Sequence, residues 1–332
     1  MSSPIVQSFP LGMQWPTVDP FLFCAHHHDS YPAGDDRLGP VGSLACRRIG
    51  QDFAGIDGWN MYHGSVVPGF PQHPHRGFET ITIARSGFID HSDSLGATAR
   101  FGAGDVQWMT AGAGIVHSEM FPLVNADRGN PAELFQIWLN LPKSDKLVAP
   151  YFTMFWHEQI PAIEHDGVRV TVIAGAYDGK VALAPPPNSW AARDQAEVVI
   201  WLVLLAAGAS WRLPAARSNR ATRSIFAFEG GALELDGALV ATGHGAQIRS
   251  DREVTVSAAT ASQCLVLGGR AIGEPVAHHG PFVMNDRAGL VQAVEDYQRA
   301  GFGGWPWPSD DPHHGRAEGR FAHHADGRIE RP

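Results

Sequence analysis

Two short motifs constrain this chain more than any other feature: His73-Pro74-His75 and, further on, His117-Ser118-Glu119. Successive side chains on a β-strand point to opposite faces, so residues two apart share a face. His73 and His75 therefore look the same way, as do His117 and Glu119. Two such pairs on neighbouring strands can close around one divalent ion, with imidazole nitrogens and a carboxylate as ligands suited to iron, manganese, nickel, copper or zinc. An isolated H-x-H is common in turns, and it is the second pair that makes a site of the first. Glu79 has the parity of His75, and spacing alone leaves open whether Glu79 or Glu119 supplies the carboxylate.

The sequence between the motifs has the rhythm of short strands. Glu79, Ile81 and Ile83 alternate with Thr80 and Thr82, and Ser86-Gly87 ends the run. Turn signals recur at residues 93–96 and 102–105, and residues 134–139 supply a further strand. Short strands punctuated in this way predict an all-β sandwich or barrel. The polar stretch at residues 140–146 predicts the end of a first, metal-binding domain over residues 1–145. A second domain over residues 146–304 repeats the β rhythm without the ligands: residues 211–223 offer arginines, Ser218 and Asn219, but no His, Asp or Glu. It closes with an amphipathic helix, capped by Asn285 or Asp286, carrying Leu290, Val294 and Tyr297 on one face, pairing Glu295 with Arg299, and stopped by Gly301. Residues 305–332 read as a loosely held polar tail bearing His313, His314, His323 and His324. The run His26-His27-His28, like His63 and His244, reads as structural or solvated.

Composition excludes several function classes. At 332 residues, 44% hydrophobic and 18% charged, the chain is globular and long enough for two cores. A formal charge of −9 argues against binding a phosphate backbone, which requires a basic surface to displace counterions. Cys24, Cys46 and Cys264 fit neither a disulfide framework nor a zinc knuckle. The longest apolar run, residues 198–207, is too short to cross a bilayer, and the N-terminal residues lack the pattern of a secretory signal, so the expected location is the cytoplasm, away from membranes.

Beyond the ligand pairs the match to a known family is long. Residues 73–80, residues 104–120 with Gly112-Ala113-Gly114 before His117-Ser118-Glu119, and residues 135–142 closely resemble the pirin family of the cupin superfamily. Gly273-Glu274-Pro275-Val276 and residues 280–285 resemble its C-terminal signature, and Asp19-Pro20-Phe21-Leu22 its N-terminal one. The resemblance implies a bicupin of two double-stranded β-helix (jelly-roll) barrels with a C-terminal helix, and a metal in the first barrel only. Carried over by position, the ligands are His73, His75, His117 and Glu119, holding Fe(II) in preference to manganese, nickel, copper, cobalt or zinc, with Glu79 behind them. Members of the family have been linked to two kinds of work. The first is quercetin 2,3-dioxygenase activity, in which the central ring of a flavonol is opened with dioxygen and carbon monoxide is released. The second is iron- and redox-dependent regulation through a transcription-related protein partner. In the enzyme reading Glu119 accepts the substrate's proton, and Phe78, Trp108 and Met109 are candidates for an apolar wall against flat rings. The segment at residues 26–59 and the tail beyond Gly304 depart from the compact members.

Overall fold

The computed structural model describes residues 3–332, which gather into two compact units. One comprises residues 26–136, 143–158 and 274–332, and the other residues 3–25, 137–142 and 159–273. These units cut across the blocks 1–145, 146–304 and 305–332 expected from composition. A change in polarity marks a surface loop, whereas membership of a sheet is decided by pairing between strands distant in sequence.

The first unit contains the motifs. Its strands are β1 (Gly69–His75), β2 (Phe78–Ser86), β3 (Phe88–Asp93), β4 (Thr98–Gly102), β5 (Asp105–Thr110), β6 (Ile115–Met120), β7 (Asn130–Asn140) and β8 (Tyr151–Phe155). One sheet runs β8-β5-β2-β7 and continues with the strand Phe21–Tyr31. The other runs β1-β6-β3-β4 and continues with Phe321–His323 and Ile329–Glu330. These strands pair antiparallel, so directly opposed residues share a face and the alternation seen in sequence becomes a two-faced layer. Ile89, Phe101, Leu134, Phe152 and Met154 fill a common core.

The second unit repeats the plan. Its strands are β9 (Val199–Leu205), β10 (Ser210–Leu213), β11 (Ala221–Gly230), β12 (Leu233–Leu235), β13 (Ala238–Val240), β14 (His244–Ile248), β15 (Val254–Ala258) and β16 (Ser262–Arg270). The larger sheet runs Ile5–Pro10, β14, β11, β16, β9, then Val168–Ala174 and Ala162–His165. The smaller runs β10-β15-β12-β13, the order of β1-β6-β3-β4 in the first unit. The likeness extends to register. Where His73 opposes His117 and His91 opposes Glu119, the second unit sets Trp211 against Val256 and Leu233 against Ala258. All four of these residues lie in its apolar core. Burying each of the larger ones contributes about 1.5–3 kcal/mol, so the second jelly roll has exchanged a polar interior for a packed one.

The helix α1 (Arg287–Ala300) forms as its signals predict, with two differences, the first being that it belongs to the first unit and not to the second, where the sequence placed it. The Asp286 side chain accepts the Gly289 N–H at 2.8 Å, and Gly301 takes the left-handed conformation, φ 53°, that ends the helix. Arg299, however, pairs with Asp296 rather than Glu295. Asp296 also receives Arg76 Nη1 at 2.8 Å, which ties the helix to the residue that follows His75.

The tail is a further difference. Arg100 and Asp90, both fully buried, form a two-bonded ion pair at 2.6 and 2.7 Å. The same guanidinium donates to the carbonyls of His314, Gly315 and Glu318, and Asp90 accepts the His314 N–H at 2.7 Å. Arg320 reaches Asp105 at 2.8 Å, and Phe321–His323 pairs with Thr98–Arg100 of β4. The segment expected to be loose is thus an edge of the sheet. Its polarity is real, but the partners that satisfy it lie more than two hundred residues earlier, as in Arg100 with Gly315.

His27, expected to be solvated, is buried against Tyr62 and Phe70, with ring centroids 4.8 and 5.9 Å away. Burial, aided by the neighbouring His26, lowers its pKa to about 4. The unfolded chain takes up a proton below about pH 6.5 that the folded chain refuses until about pH 4. This group therefore removes stability as pH falls through that window and has no effect above it. Between pH 7 and pH 5 the loss is about 2 kcal/mol. Urea melts of metal-free protein at the two pH values should show it, and His27→Phe should remove about that much of the slope.

Candidate metal centre

The strand arithmetic holds at the first site. On β1 and β6, His73 stands directly opposite His117, and His75 lies two residues along on the same face. The three rings meet with centroid separations of 4.4 to 4.9 Å. One nitrogen from each lies within 4.8 Å of the others. His75 and His117 are buried and His73 is half-buried.

All three imidazoles are held neutral. Burial lowers the pKa of His73 to about 4 and those of His75 and His117 well below the ordinary value, and repulsion from neighbouring histidines adds to the effect. Neutral imidazole is the form that ligates a metal. His73 donates Nδ1–H to the Pro71 carbonyl at 2.8 Å, which fixes the tautomer and leaves Nε2 as its lone-pair nitrogen. Both ring nitrogens of His117 are buried with no hydrogen-bond partner. Leaving polar atoms dry in this way is costly, and a cation bound at one of them relieves part of the cost. The residues present therefore fit a divalent transition metal.

Glu119 stands beside this group. Its Oε2 is 3.9 Å from His117 Nε2, too far for a hydrogen bond. Gln136 Nε2 donates to Oε2 at 3.1 Å, and the Thr82 hydroxyl lies 3.2 Å from Oε1 and closer to Gln136 Oε1, the two acceptors sharing its one hydrogen. Burial raises the pKa of Glu119, and these two donors together with His91 oppose the rise.

Glu79 is placed differently. The chain turns at Gly77, φ 86°, where an added Cβ would lie 2.0 Å from the Val283 carbonyl oxygen, so strand parity does not carry from His75 to β2. On β2, Thr82 faces the cluster, and so the alternate positions Phe78 and Thr80 face it too. Glu79 points to the opposite face, where it accepts Thr110 Oγ1 at 2.8 Å and Trp108 Nε1 at 3.3 Å. The same register assigns the expected apolar wall. Phe78 lies 5.1 Å from the His75 ring, and Met109 is paired with Thr80, on the cluster's side. Trp108 is paired with Ile81 and belongs to the other face, as core.

Three contributors were not legible as motifs. His91 and Asp93 on β3 oppose Glu119 and His117, are fully buried, and lie 3.1 Å apart. The His91 ring stacks on Phe152 at 5.1 Å. H-x-D on a strand repeats the same-face spacing of the ligand motifs, which is the signal that would have found the pair. Gln136 carries no local signal. The remaining histidines keep to other work: His26 bonds Glu133 at 2.9 Å, and His63 reaches the Gly50 carbonyl at 2.7 Å.

Comparison with known proteins agrees with this architecture. A pirin family model matches residues 5–139, and a model of the pirin C-terminal cupin domain matches residues 200–303. A pirin-like protein of Caulobacter vibrioides is 39% identical over 244 residues, covering 73% of this chain and 84% of the relative. Pirin-1 of Arabidopsis thaliana is 35% identical over 240 residues, covering 71% and 79%. Among solved structures, the crystal structure of quercetin 2,3-dioxygenase from Acinetobacter baumannii superposes with a TM-score of 0.72 at 26% identity, covering 90% of this chain and 98% of that one. Two jelly rolls, a histidine cluster found among the described residues in the first, and family models matching both halves give one conclusion: this chain belongs to the pirin family of bicupins.

Proposed function

We propose that the protein is a metal-dependent dioxygenase of the quercetinase type, opening the central ring of a flavonol with dioxygen and releasing carbon monoxide. His73, His75 and His117 hold the metal, Fe(II) in the first instance, and Glu119 completes the set. The observation that carries the proposal is the cluster of three buried or half-buried imidazoles with an adjoining buried carboxylate. The likeness to a quercetin 2,3-dioxygenase structure supports the choice of substrate class. We also place the protein in a reducing cytoplasm, where its cysteines, buried at 24 and 264 and exposed at 46, stay as thiols.

A divalent ion in this set supplies Lewis acidity that favours the ionised form of a flavonol hydroxyl. The protein's own part is proton transfer, orientation and exclusion of water. Glu119, the carboxylate beside the three imidazoles, takes the proton of the flavonol 3-hydroxyl. Gln136, itself held by the Thr82 hydroxyl, keeps the carboxylate aimed. Phe78 and Met109 give the flat ring system an apolar surface on the β2–β5 side.

The test is stoichiometric. Iron-loaded protein in air should consume one quercetin and one dioxygen for each carbon monoxide released, read by absorbance, an oxygen electrode and gas analysis. Absence of turnover with every common divalent metal would instead support a protein-binding regulator.

A further inference from the structure

The second unit contains a cavity of about 560 Å³, within the usual size range of small-molecule sites. Arg223 and Trp201 line it, and both are more than nine-tenths buried, at 5% and 2% exposure. Arg223 lies on the inward face of β11, opposite Gly268 and two residues before Ile225, whose partner Val266 also opposes Trp201. A side chain at position 268 would crowd this place: its Cβ would lie 3.0 Å from Val199 Cγ2 and 3.5 Å from Arg223 Nε.

The arginine is underused for so buried a cation. Nη1 donates to the Pro214 carbonyl, and the guanidinium lies 5.6 Å from the Trp201 ring centroid. Nε is buried with no partner, and so is the Trp201 indole nitrogen. The acidic residues at the rim make their hydrogen bonds to other groups. Glu197 accepts the Ser218 N–H at 3.1 Å, and Asp194 accepts Arg217 at 2.9 Å. Glu197 acts on Arg223 through its charge, but among the described residues no carboxylate forms a direct ion pair with this buried guanidinium, and a guest carboxylate can take that place.

We propose that this cavity binds a small monocarboxylic acid, its carboxylate on the guanidinium of Arg223 and its apolar body against Trp201, Val199, Leu183 and Pro185. The planar guanidinium matches a carboxylate in geometry as well as charge. A phosphate dianion would bring a second negative charge towards Glu197 and is disfavoured. The site is separate from the histidine cluster, since all of its lining lies between Gly175 and Arg223.

Titration calorimetry of the metal-loaded full chain with benzoate should give saturable binding of one molecule per chain, and benzamide, the neutral analogue, should not bind. Arg223→Gln should weaken benzoate at least about tenfold, the loss of one charge-assisted hydrogen bond, and Arg223→Lys should fall between the two. A crystal soaked in 4-bromobenzoate should show a bromine peak in this cavity, a readout that needs no variant. No binding to the wild type, equal binding of benzamide, tighter binding of inorganic phosphate, undiminished binding by Arg223→Gln, or bromine only elsewhere would each overturn the proposal.

Discussion

His117→Ala should strip the metal from the protein while leaving the metal-free fold intact. His117 lies at the centre of the cluster, opposite His73, with both nitrogens buried and unpaired. Its removal takes away one of three imidazole donors, and affinity should fall by well over the roughly hundredfold typical of changes behind the ligands. The metal-free protein loses no hydrogen bond of His117 and sheds two dry polar atoms, so its urea midpoint should move little. Plasma emission analysis after dialysis gives the metal content, and circular dichroism gives the fold. Retention of stoichiometric metal by the variant would remove His117 from the ligand set.

Glu119→Gln should reduce quercetin turnover by about 10²- to 10⁴-fold, the range for loss of a positioned general base, and should weaken the metal. Glu79→Gln should do neither to a comparable degree. The two glutamates are close in burial and differ in the face they occupy. Glu119 is tied to Thr82 and Gln136 beside His117, whereas Glu79 is tied to Thr110 and Trp108 on the reverse of β2. Metal content and kcat for both variants decide the matter. If Glu79→Gln emptied the site and Glu119→Gln did not, the carboxylate would have been assigned to the wrong residue.

What was legible in the sequence followed from period two. His73, His75, His117 and Glu119 share a face because strands alternate, and any pairing in register brings them together. Glu79 stayed ambiguous because parity is a property of one strand, and the turn at Gly77 separates β1 from β2. Trp108 was only a candidate for the substrate side for a similar reason: the face it occupies depends on which strand lies beside it. The strand Ile5–Pro10 joining the second unit, and Phe321–His323 joining the first, are pairings across the length of the chain that no local pattern encodes. The arginines of residues 211–223 were visible as a departure from the ligand pattern, but only the fold shows that Arg223 is buried beside a cavity.

The central claim is that one ion is held by three imidazoles and one carboxylate of the first jelly roll. Anomalous difference maps from metal-loaded crystals, recorded above and below the iron absorption edge, test it most directly. The account predicts a single strong peak within coordination distance, about 2.0–2.2 Å, of nitrogens of His73, His75 and His117 and an oxygen of Glu119. A peak held by other side chains, or the absence of any peak among these four in crystals shown to contain metal, would contradict it.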